Sequence, residues 1–126
     1  MSRGTEHQLS KEEFTVNWYH YIACFFAGMF LANFIPHFVH GISGDAFPTP
    51  FAHPPGKGLS SPTVNVLWGL LNLFAGYVLF RVGKLSDGRV LPLLVFFGGI
   101  TVLSTAMSIR FSTKQLKRRS VTHATR

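Results

Sequence analysis

Three stretches of this chain carry no charged side chain: residues 14–44, 58–80 and 90–109, which are 31, 23 and 20 positions long. An α-helix rises about 1.5 Å per residue, so about 20 apolar residues cross the roughly 30 Å hydrocarbon core of a bilayer. Each stretch meets that length. The expected fold is an all-α integral membrane protein, a bundle of three transmembrane helices forming one membrane domain over residues 1–126. Its parts are a polar N-tail (1–13), a first span (14–35), a connection (36–61), a second span (62–83), a short turn (84–89), a third span (90–110) and a basic C-tail (111–126).

The ends of the spans follow from local chemistry. Glu12 and Glu13 suit the start of the first helix, where carboxylates meet the positive end of the dipole. Pro36 is expected to end it, because the residue before a proline is pushed out of the helical region. Trp18, Tyr19 and Tyr21 near its start fit the headgroup level, where amphipathic rings collect. The segment before this apolar run is not clearly basic and the run is long, so it is expected to be a span rather than a cleaved signal peptide. Ser60-Ser61-Pro62-Thr63 opens the second helix: a serine cap satisfies a free amide, and proline at the first position removes another. The turn over 81–89 is short, so the second and third helices are expected to be antiparallel neighbours.

Lipid gives helices no hydrophobic reason to associate, so small residues and interhelical hydrogen bonds must do so. Asn65, Gly69, Asn72 and Gly76 recur at steps of 4, 3 and 4 on the second helix. Gly98, Thr101, Thr105, Ser108 and Ser112 form a comparable stripe on the third, and Asn17, His20, Cys24, Gly28 and Ala32 on the first. These faces are expected to be packing seams. A second reading makes them the lining of a polar path in an oligomeric channel or carrier, through Asn65, Asn72, Thr101, Thr105 and Ser108. That reading is weakened because no Lys, Arg, Asp or Glu lies inside any span, whereas cation-coupled transport normally uses one. His20 is the titratable side chain near membrane depth besides the Cys24 thiol, and Cys24 is read as a small apolar filler.

The connection PHFVHGISGDAFPTPFAHPPGKGLSS has five prolines, three phenylalanines and two charges. Disorder usually accompanies high charge and few aromatics, so an ordered cap over the helix ends is expected. It contains His37, His40 and His53, with Asp45 between them. If the first helix resumed after Pro36, His37 and His40 would share a side. With His53 and Asp45 they make the candidate ligand set of a metal- or haem-binding membrane enzyme, the third reading. Their spacing matches no standard ligand motif, and the competing expectation is no cofactor at all. Gly56-Lys57-Gly58 has the outline of a phosphate loop but lacks the earlier glycine, the following Ser/Thr and the strand. No nucleophile elbow or dinucleotide fingerprint is present.

The charge balance is 12 Lys+Arg against 5 Asp+Glu, a net +7. Six of the cations lie from Arg110 onward, where no acid occurs. Each can add about 1 kcal/mol of attraction to an anionic leaflet. With 13% charged residues, little aromatic interleaving and no folded platform, a nucleic-acid partner is not expected. Orientation is contested. Arg3, Lys11, Arg81, Lys84 and Arg89 lie on one side; Lys57 and the six tail cations lie on the other. Positive residues mark the cytoplasmic face, and the dense tail points to a cytoplasmic C-terminus. The near-balance also allows insertion in both directions or an antiparallel dimer. The leading expectation for function is a structural or accessory subunit of a bacterial plasma membrane. Its expected partners are the lipid bilayer and either a second copy of the chain or another membrane protein.

Overall fold

In the computed structural model, which describes residues 17–125, three helices account for most of the chain. They are α1 (Trp18–Ile42), α2 (Pro62–Val82) and α3 (Val90–Ala124). All three are long and apolar enough to cross a membrane. Residues 14–16, where the first span was expected to begin, lie outside the described residues. Two short strands, β1 (Phe47–Pro48) and β2 (Leu59–Ser60), pair antiparallel in the connection between α1 and α2, with Phe47 opposite Ser60.

Ser61 caps α2 in extended geometry, its Oγ accepting from the Val64 N–H at 3.3 Å, with Pro62 in the first turn. Pro36, by contrast, does not end α1, which runs through it to Ile42. The missing amide leaves the Ala32 carbonyl without its helical donor. What outweighs this is the packing beyond the proline. Gly41 lies against Val66 and Pro62, and Gly69 against the backbone of Phe38. A proline inside a helix is tolerated where neighbouring helices support the turn around it. The ordered connection is therefore 43–61 rather than 36–61.

The third helix also exceeds its expected length. The sequence places a tail from residue 111, but α3 continues through it to Ala124. No Gly or Pro occurs between Arg110 and Ala124, while Lys114, Gln115, Leu116, Lys117, Arg118 and Arg119 are good helix formers. Each residue added to an existing helix avoids the cost of nucleation.

The order of packing differs from the order of the chain. α1 lies between the other two helices and makes extensive contact with both, whereas α2 and α3 barely touch. The expected antiparallel neighbours meet near their shared turn, where Phe80 stands edge-on to Phe96 at 6.0 Å. In that turn Lys84 takes a left-handed backbone (φ 53) and Leu85 is buried. Leu85 joins Cys24, Ala27 and Phe96 in a small apolar cluster.

The distribution of polarity is inverted relative to a water-soluble domain. The largest fully buried side chains are Asn65, Asn72, Thr49 and Cys24. Leu67, Phe74, Leu94, Phe97, Val102 and Ile109 are all more than half exposed. In water, burial favours the large aliphatic and aromatic residues.

Candidate functional site

Asn65 is the hub of the end of the bundle that carries the hairpin. Its Nδ2 lies 3.0–3.1 Å from the carbonyl oxygens of Phe47, Ser60 and Ser61. Only an amino group fits among three acceptors, which fixes the amide orientation. Oδ1 must then accept, so His37 Nδ1, 2.9 Å away, carries the hydrogen and donates. One buried amide thus ties α1, both strands and the start of α2 together. Thr49, buried beside it, bonds the Ser60 hydroxyl, and its carbonyl accepts from the Gly56 N–H at 2.9 Å.

Further along the same seam Asn33 Nδ2 donates to Asn72 Oδ1 at 3.0 Å, and Asn72 Nδ2 donates to the Trp68 carbonyl at 2.6 Å. Gly69 and Gly76 are buried here; a methyl group at Gly76 would meet Leu31 at 2.8 Å. The four α2 residues singled out by spacing therefore all sit on the face that meets α1. Cys24, also buried, lies with its Sγ 3.3 Å from the carbonyl of Gly83. His20 is buried against the ring of Tyr19 at 4.4 Å.

The α3 stripe is displaced. The face meeting α1 runs through Pro92, Phe96 and Gly99. Gly99 lies on the Phe25 carbonyl, and Gly28 of α1 lies reciprocally on the Phe96 carbonyl. Gly98 faces open space, and Thr101, Thr105 and Ser108 are exposed. Two adjacent glycines differ by about 100° around a helix, and the seam uses the second. Thr101 satisfies its hydroxyl on its own helix, donating to the Phe97 carbonyl at 2.9 Å. Within one chain these residues do not share a face, since Asn65 and Asn72 face α1 while the α3 hydroxyls face outward.

The candidate metal ligands are likewise dispersed. His37 is buried and bonded to Asn65; His40 Nδ1 stands 3.6 Å from Asp45 and its ring stacks on Phe47 at 4.3 Å; His53 is exposed. Among the described residues no three His, Cys, Asp or Glu side chains come together as a metal would require. The reason is that α1 continues past Pro36 and carries His37 into the α1–α2 seam, while His53 is exposed in the segment between the two strands.

The hairpin instead builds a cavity that the sequence did not foreshadow. It lies between the last turns of α1, the two strands and α3, with a volume of about 760 Å³. Ile35, Val39, Phe47 and Met107 form apolar walls, while Lys114 and Arg118 stand at one end. Phe47 packs on Phe111 at 5.3 Å, and the Arg110 guanidinium donates to the Gly56 carbonyl at 2.6 Å. These contacts hold the hairpin against α3. Beside it a smaller hollow of about 520 Å³ includes Lys57, Arg110 and Lys117. The tail cations were legible in the sequence as a cluster; their convergence on the loop depends on contacts 54 residues apart, such as Arg110 with Gly56.

No known protein family, curated protein or solved structure matches the chain.

Proposed function

We propose that this chain is an integral, multi-pass membrane protein with a structural or accessory role, in which α3 is open to a second copy or to a partner membrane protein. The inverted polarity of the helices supports this reading. Asparagines, two histidines, glycines and alanines make most of the interior, and large apolar side chains face outward on all three helices. Water would penalise that arrangement heavily at about 25 cal/mol per Å² of apolar surface, whereas hydrocarbon does not. The partner element rests on α3, where 11% of the apolar window is buried against 33% for α1. The exposed Thr101, Thr105 and Ser108 offer hydroxyls there.

Alkaline carbonate extraction tests the membrane assignment: the protein is expected in the pellet, and recovery in the supernatant contradicts it. Size measurement and cross-linking in mild detergent test the subunit assignment. A species larger than one chain is expected, and a strict monomer with no co-purifying protein contradicts it.

A further inference from the structure

The cavity beneath the hairpin carries its Lys and Arg side chains at one end of the helix axis. Ala32 and Ser104 mark its deep end, Ile35, Val39 and Met107 line the middle, and Lys114 and Arg118 stand at the outer end. Along α3 the climb from Ser104 to Arg118 is about 21 Å at 1.5 Å per residue. Ser104, Met107 and Ser108 fall within the uncharged window 90–109, and Lys114 and Arg118 fall beyond it, so the cavity crosses the boundary between hydrocarbon and headgroups. The neighbouring hollow shares Phe111 and Lys114 with the cavity and adds Lys57, Arg110 and Lys117. Among the described residues no carboxylate lines either space. Asp45 is exposed and paired at 3.6 Å with His40.

We infer that this cavity holds one anionic phospholipid, its acyl chains along Ile35, Val39 and Met107 and its phosphate against Lys114 and Arg118. The cations that line the cavity stand at one end, as the phosphate stands at one end of the lipid. The surplus of cations selects a headgroup with net negative charge over a zwitterionic one. The hairpin, held on α3 by Arg110 and Phe111, forms the wall that separates such a site from the general lipid surface. This inference rests on the membrane assignment above.

The test uses the full chain in a non-ionic detergent, offered equal amounts of phosphatidylglycerol and phosphatidylcholine, with retained lipid identified by native mass spectrometry. One phosphatidylglycerol is expected, at a preference of about thirtyfold, the order given by two cations at about 1 kcal/mol each. Lys114→Gln with Arg118→Gln is expected to bring the preference near parity. Arg119→Gln, which lines neither space, is expected to keep it. Ser108→Trp, which narrows the cavity without changing charge, is expected to lower retention of both lipids.

Retained preference in the double variant, or equal loss in Arg119→Gln, overturns the site. So does displacement of the lipid by millimolar inorganic phosphate, which would mark a bare anion site. Protein that stays in carbonate-washed membranes yet shows no selective retention removes the lipid site alone. Protein released by carbonate removes the membrane assignment beneath it.

Discussion

The two faces of α1 solve the same problem by different means. Toward α2 the helix is held by buried amides: among the described residues the side-chain hydrogen bonds that link two helices, His37 with Asn65 and Asn33 with Asn72, both lie in this seam. Toward α3 the contact is steric, with Gly28 and Gly99 each set on a carbonyl of the facing helix. The first seam adds directional groups that fix register to the close approach allowed by Gly41, Gly69 and Gly76, and the second fixes distance through missing side chains alone. A bundle in a medium that does not reward burial of hydrocarbon has these two devices available.

The largest predicted effect breaks the first seam. Asn65→Leu leaves the His37 N–H and three carbonyls without their partner and is expected to destabilise the protein by about 3 kcal/mol. Unfolding in detergent measures it, and protease sites in the hairpin should open in the same variant. A change below about 0.5 kcal/mol would show that the amide network is incidental.

Next comes the steric seam. Gly99→Leu drives a side chain into the α1 backbone and is expected to destabilise by about 2 kcal/mol, within the usual range for overpacking. The adjacent Gly98→Leu enters open space and should stay within about 0.5 kcal/mol. Equal effects at the two positions would place the α3 seam elsewhere. A smaller loss, about 1 kcal/mol, is expected for Asn72→Leu, because a hydrogen bond between helices in hydrocarbon is modest. Arg110→Gln removes an exposed contact and is expected to cost under about 0.5 kcal/mol, appearing chiefly as faster cleavage of the hairpin.

How much of this was legible depended on range. The three uncharged windows and the Ser61-Pro62 start are local, and helices occupy those windows. Asn65, Gly69, Asn72 and Gly76 were visible as a face because their spacing is a property of one helix. Pro36 misled because its local preference is opposed by contacts of Gly41 with Val66 and of Phe38 with Gly69, which no window contains. Gly98 stood for Gly99 because spacing alone does not choose between adjacent glycines. The loop histidines are close in sequence, while the continued helix sends His37 and His53 to different places. The cavity was invisible for the same reason: its walls come from three segments that meet only in the fold.

On the membrane assignment proposed above, the apolar outer surface of α3 lies at the depth of the hydrocarbon, and the helix leaves the membrane before its end. Val102 and Val121 are both exposed, at 53% and 65%, so the folded chain itself shields neither. Cys24 is the sole cysteine in the chain, and it is small and buried, so Cys24→Ala gives a silent background for single cysteines at those two positions. In intact membranes a charged thiol reagent is expected to label Val121→Cys readily and Val102→Cys at least about tenfold more slowly, since reaction needs a hydrated thiolate. The difference should vanish in denaturant. Equal labelling at both positions in intact membranes would contradict a membrane-spanning α3.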